Sequence, residues 1–165
     1  MARKIISTFV LLVLATVSYE LVAQVSNPAA ASIKNHIMVL PEEINWDSCP
    51  NALPPGAQCA VIEGDMKTPN LLFGYRVKLP DNYKIAPHFH PADEHLVVIS
   101  GTFQMGTGEI FQEDSLRPMT AGGFMVMPKG APHFALTKGE TILHVYAIGP
   151  WGLTYVNPKD DPRNQ

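Results

Sequence analysis

A chain of 165 residues with 46% hydrophobic and 16% charged content has the make-up of a folded protein long enough to bury one core. Its formal net charge of -3 comes with no cluster of Lys and Arg, which excludes binding to a nucleic-acid backbone as its activity, because phosphate binding needs a basic face.

In chain order, Arg3 and Lys4 precede an uncharged run over residues 5–17, and Ala23 followed by Gln24 offers a small residue at a cleavage point. This is the layout of a secretory signal peptide over residues 1–23. The apolar run cannot cross a bilayer of about 30 Å without taking in Glu20, so no permanent membrane anchor is expected. Leu21 is a poor residue three before the cut, which makes Ala31 a second cleavage candidate, and no Cys lies nearby to carry a lipid. The expected location is exported, periplasmic or secreted. Removing residues 1–23 takes away Arg3, Lys4 and Glu20, and so moves the formal charge from -3 to -4.

Residues 24–59 read as an N-terminal leader. Ser, Asn, Pro and Ala dominate residues 24–34, and the pattern from His36 to Trp46 predicts one strand and a turn, with Pro41 favouring a sheet edge. Cys49 and Cys59 bracket a Pro-rich loop, and in an oxidising compartment a disulfide closing it is expected, with two unpaired thiols as the alternative.

From residue 60 to 165 the chain predicts one all-β domain. Short alternating runs at 60–63, 71–79, around His88, and at 95–100, 102–105, 123–127, 133–137 and 141–148 are separated by turn residues such as Gly64, Pro80, Gly101, Gly130 and Gly139. No long period of 3.6 follows Ala23, so helices should be short or absent. Two facing antiparallel sheets folded as a jelly roll would bury one side of each strand.

Two of these runs carry chemistry. In the first, His88, His90 and Glu94 are spaced so that a roughly extended chain turns all three to one side. In the second, the run from Gly122 to His133 brings one more His after an apolar strand and a Pro/Gly turn. Three imidazoles and a carboxylate suit one divalent transition-metal ion (Zn, Fe, Mn, Ni or Cu) better than Ca or Mg. Imidazole binds metal only when neutral, so affinity should fall as pH drops through about 6.

The spacings resemble the paired motifs of the cupin superfamily: His88, His90, Glu94 and Gly101 in the first, Gly122, Pro128, Gly130 and His133 in the second. Asn82 stands where the first motif opens with Gly, and Asn tolerates left-handed backbone next best. Thr137 stands where the second closes with a non-ligand Asn. The stretch from about residue 60 to 164 is similar to small bacterial cupins related to the cupin half of the zinc-dependent anti-sigma factor ChrR. The resemblance implies a cupin double-stranded β-helix, or jelly-roll barrel, with metal ligands His88, His90, Glu94 and His133.

His95 should face away from the metal, as the neighbour of Glu94 on an extended chain. His144 and Tyr146 share one face of the last strand, and both faces there carry apolar residues. Facing inward, His144 is a general base or substrate contact and Tyr146 a hydroxyl donor; facing outward, neither touches substrate. Arg76, if inward, would favour a carboxylate. Met105, Met125, Met127, Phe103, Phe124 and Phe134, divided between lumen and packing faces, suggest an apolar pocket for a small organic molecule. Open metal positions favour an enzyme of oxygenase, isomerase or lyase type. The alternative is a non-catalytic metal- or small-ligand-binding sensor module. A homodimer is compatible with either.

Overall fold

The computed structural model describes residues 35–165, so the expected signal peptide and residues 24–34 lie outside it. The strands are β1 (Asp47–Ser48), β2 (Gln58–Glu63), β3 (Leu72–Leu79), β4 (Lys84–Phe89), β5 (Glu94–Thr107), β6 (Arg117–Thr120), β7 (Phe124–Met127), β8 (His133–Ile148) and β9 (Thr154–Tyr155). Among the described residues the only helices are 3-10 turns, and none is long and apolar enough to cross a membrane.

All strand pairs are antiparallel, in a sheet that curls on itself through two long strands. The C-terminal half of β8 pairs with β3 and with the N-terminal half of β5, while its N-terminal half pairs with β4 and the C-terminal half of β5. One wall therefore runs β1-β2-β3-β8-β5-β7 and the other β9-β4-β8-β5-β6. Residues 95–100 and 102–105 were expected as separate strands, as were 133–137 and 141–148. Gly101 and Gly139 bend these strands without ending them. Both have positive φ, and a Cβ on Gly101 would lie 2.3 Å from the Glu140 carbonyl oxygen, so only Gly fits that bend.

Alternation fills the space between the walls. Phe73, Tyr75, Val77 and Leu79 of β3, Leu96 and Val98 of β5 and Leu143, Val145 and Ala147 of β8 are buried opposite Ile85, Phe103, Met105 and Ala135 of the second wall. The six Met and Phe positions divide as expected in kind. Phe103 and Met105 line the lumen, Met127 is core, and Met125 packs against it. Phe124 is exposed, and Phe134 is buried beside Phe111.

The N-terminal segment departs from expectation. No strand forms over residues 36–40; Pro41–Glu43 is a 3-10 turn, with the Leu40 amide donating to the Glu43 carboxylate at 2.8 Å. Pro41 lacks the donor that would have extended a ladder. The expected boundary between residues 59 and 60 falls inside β2, and β1 joins the same sheet, so the leader supplies part of the barrel wall.

Cys49 and Cys59 form a disulfide. The loop it closes lies across the seam between the free edges of the two walls. Tyr155 of β9 donates to the Ala52 carbonyl at 2.9 Å, and the Tyr83 hydroxyl donates to that of Pro54. At the closed end of the barrel, Asn82 adopts a left-handed φ of 56°, as its place in the motif predicts. Thr137 accepts from the Tyr83 amide at 2.8 Å and donates to the Pro80 carbonyl at 2.6 Å, which explains a buried hydroxyl where no ligand is needed.

Candidate metal centre and its cavity

The strand register brings the two motifs together. His88, near the end of β4, is the cross-strand partner of His133, the first residue of β8; His90 follows just past β4, and Glu94 opens β5. The Pro128–Ala131 turn fastens this end, since the Gly130 amide donates to the His90 carbonyl at 2.9 Å and the Lys129 amide to Asp93 at 2.7 Å.

Each imidazole is aimed by its own backbone partner. Nδ1 of His88, His90 and His133 lies 2.8, 2.7 and 3.0 Å from the carbonyl oxygens of Ala86, Gly152 and Ala131. A carbonyl only accepts, so each Nδ1 carries the proton and each Nε2 presents a lone pair. Among the described residues these three buried histidines form the group able to hold a metal ion, with ligand atoms all within 4.8 Å of one another. The Glu94 Oε2 stands 3.6 Å from His90 Nε2 and 3.5 Å from His133 Nε2.

Burial first, and then the charges of His133 and His90, hold the His88 imidazole well below its ordinary value; burial also lowers that of His90. Both are neutral at pH 7. Burial alone would raise the Glu94 carboxyl, but its interactions with the neighbouring His133 and His90 imidazoles outweigh it, and the net direction is down. An ionised carboxylate facing imidazole lone pairs is unfavourable unless a cation lies between them. His90 Nε2 is buried with no hydrogen-bond partner, a cost that coordination would remove. The residues present therefore fit a divalent transition-metal ion.

The Nε2 atoms open onto a cavity of about 300 Å³. Beyond the histidines its walls are Val77, Leu79, Ile85, Leu96, Phe103, Met105, Ala135, Leu143 and Val145; its roof is Pro50–Leu53 of the disulfide loop, Met66, Lys67 and Trp151–Leu153, with Arg163 at the rim. Trp151 stacks on the His90 ring, 4.2 Å between centroids and 9° between planes.

Three residues that sequence reasoning missed complete the site. The Tyr75 side chain lines the cavity; burial first, then the Glu94 charge, raises its phenol above the ordinary value, so it stays protonated as a donor. Alternation with Val77 and Leu79 was the signal that could have found it. Trp151 and the Gly152 carbonyl carried no such signal, because they reach His90 from an irregular segment about sixty residues away.

His144 and Tyr146 are not brought to this site, which corrects their expected catalytic role. Leu143 and Val145 line the cavity, so the residues alternating with them face the outside of the wall. There His144 is half-buried, with its imidazole lowered by burial and by Arg76 against the opposing pull of Glu63. Tyr146 stacks on His95, 4.9 Å between centroids, and His95 faces outward as expected. Arg76 is the cross-strand partner of His144 on the same outer face, so it offers the lumen no carboxylate contact.

Comparison with known proteins agrees with this architecture. Residues 72–164, more than half of the chain, match a family described as a domain of unknown function, DUF4437. The chain belongs to the DUF4437 family. No curated protein sequence matches it. Among solved structures, it is similar to the polyketide cyclase RemF from Streptomyces resistomycificus (15% identity, 76% of this chain and 88% of that one, TM-score 0.62). The DMSP lyase DddQ from Ruegeria pomeroyi gives 19%, 70%, 62% and 0.55. An RmlC-like cupin from Shewanella frigidimarina gives 13%, 69%, 91% and 0.52. At these identities the likeness establishes the fold: this DUF4437 chain is a cupin-type jelly roll.

Proposed function

We propose that this protein is an exported, metal-dependent cupin enzyme that converts a small organic molecule at one divalent transition-metal ion held by His88, His90, His133 and Glu94. The observation that carries the reading is three buried imidazoles, each fixed at Nδ1 by a backbone carbonyl, with their Nε2 atoms facing a cavity of about 300 Å³. When bound, the ion supplies a Lewis acid or a redox centre with positions left for substrate.

This chain's own residues do the rest. Trp151 and Gly152 hold the His90 ring in place, Tyr75 offers a phenolic proton inside the cavity, and the disulfide loop with Trp151 excludes bulk water. Catalysis on similar folds, named in RemF and DddQ, supports an enzyme, although a fold does not choose a reaction. Export is supported by the layout of residues 1–23 and by the disulfide, which persists in oxidising compartments. The working division is a signal peptide (1–23), a leader that joins the sheet (24–59) and the cupin barrel (60–165). A homodimer would cover the exposed Leu72, Phe124, Val126 and Ile148 of the outer face.

The test is a screen of metal-loaded protein against small phenols, diketones and sugars in the presence of O2, with products detected by mass. Conversion that collapses in His88→Ala supports an enzyme. Binding without conversion across these classes refutes it in favour of a sensor module of the ChrR type.

A further inference from the structure

The cavity is polar at one end only. Barrel register places His88, His133 and Glu94 at the roofed end, whereas Leu79, Ile85 and Phe103 pair across the strands near Thr141 and Thr137 at the other. Between these ends the lining side chains are Val77, Leu96, Met105, Ala135, Leu143 and Val145, none of which carries a nitrogen or oxygen. The polar side-chain atoms facing the space are those of the three histidines, Glu94 and Tyr75, with the Trp151 indole, Asn51, Lys67 and Arg163 at the roof.

Resting on the metal-centre reading above, we propose that the ligand is a small amphiphilic anion whose oxygen head sits between the histidines and Tyr75 and whose apolar body fills the lumen toward Leu79 and Phe103. Three steps lead there. A volume of about 300 Å³ holds on the order of ten heavy atoms, taking about 30 Å³ for each water-sized group. A hydroxyl placed in the lumen would find no partner, and an unpaired buried polar group is strongly disfavoured, so polyols and sugars are rejected. Three neutral imidazoles and one carboxylate leave a divalent ion with a surplus positive charge, which a single anionic oxygen neutralises. The rim adds little to that charge. Asp161 binds the Arg163 guanidinium at 2.6 Å, and Asp65 lies two residues from Lys67.

The lumen also fixes the length of the body. Of the strand residues that line the cavity, Ala135 has the smallest side chain, and it is buried. Enlarging it would shorten the space, and trimming Leu143 opposite would lengthen it.

The experiment is calorimetric binding of straight-chain monocarboxylates from propionate to decanoate, with gluconate as the polar comparison. Protein is titrated both loaded with Zn2+ and stripped of metal, and metal content is measured separately. Each added methylene should tighten Kd about fourfold, the equivalent of roughly 0.8 kcal/mol per buried CH2, with the gain ending near octanoate. Gluconate should not bind detectably. Stripped protein should keep the same slope per methylene at weaker absolute affinity. Ala135→Leu should move the optimum about two or three carbons shorter and Leu143→Ala should move it longer, so that either variant suffices if the other does not fold. A flat response to chain length, or gluconate binding as tightly as octanoate, overturns the apolar body. Equal affinity in loaded and stripped protein, with zinc verified in the first, overturns the position of the head. Failure to take up zinc at all refutes the underlying metal reading, and it is seen in the metal content before any acid is added.

Discussion

The barrel presents histidines on both its inner and its outer face, and only one set is built to act. Inside, His88, His90 and His133 each spend Nδ1 on a backbone carbonyl and turn Nε2 toward a shared space. Outside, His95 and His144 stack on or lie beside Tyr146 over a partly exposed sheet. His95 Nδ1 and Arg76 Nε there are buried without partners, and neither residue lines the cavity at the metal centre. Residue type is therefore uninformative here. What separates a candidate centre from a decorated surface is convergence, and convergence needs the second atom of each ring held by the backbone.

The largest contrast in stability should come from truncating one aromatic on each face. Phe73 is fully buried beneath Trp151 and Phe124 is 52% exposed. Phe73→Ala should cost about 3 to 5 kcal/mol in denaturant unfolding, and Phe124→Ala about 0.5 kcal/mol or less. Similar losses in both would mean that the outer face is buried in solution, and a change in oligomeric state would show it.

Next in size is the strap over the seam. Replacing Cys49 and Cys59 together with Ala should lower stability by about 2 to 3 kcal/mol, the loop-closure value for a short ring. The variant should also admit solvent to the lumen, read as faster quenching of Trp151 fluorescence by acrylamide in protein whose other tryptophan, Trp46, is replaced by Phe.

A smaller effect follows from acid. His88 and His90 are held below the ordinary 6.5, so below that pH the unfolded chain takes up protons that the folded, metal-free chain refuses. Unfolding then binds protons, and stability falls as pH is lowered from 6.5 through the depressed folded values. The Tm of metal-free protein should therefore drop between pH 7 and pH 5. In His88→Ala that drop should be shallower; an unchanged slope would place its origin elsewhere, with His144 on the outer face as the next candidate.

The smallest effect belongs outside. His144→Ala removes a half-buried ring that makes no hydrogen bond to the site, so metal content should be unchanged and stability should shift by about 0.5 kcal/mol or less.

Much of this contrast was legible in the sequence. The spacing of His88, His90 and Glu94 with the Pro128–Gly130–His133 run marked the inner cluster, because those residues sit at fixed offsets from turns that the backbone must make. Asn82 could be read as left-handed for the same local reason. The orientation of His144 and Tyr146 could not be read, since Leu143, Val145 and Ala147 on one face compete with Ile142 and Ile148 on the other, and tertiary packing decides. Gly101 and Gly139 looked like strand ends, yet in a curled sheet the same φ values bend a strand that continues. Trp151, Gly152 and the roof over the cavity come from irregular segments, whose contacts have no period to betray them.

The central claim is tested most directly by elemental analysis of protein purified from the compartment it occupies, alongside His90→Ala, His133→Ala and His144→Ala. The account predicts close to one transition-metal ion per chain in the native protein and in His144→Ala, with strong loss in the two inner variants. Full retention of metal in either His90→Ala or His133→Ala, or its loss in a folded His144→Ala, would contradict it.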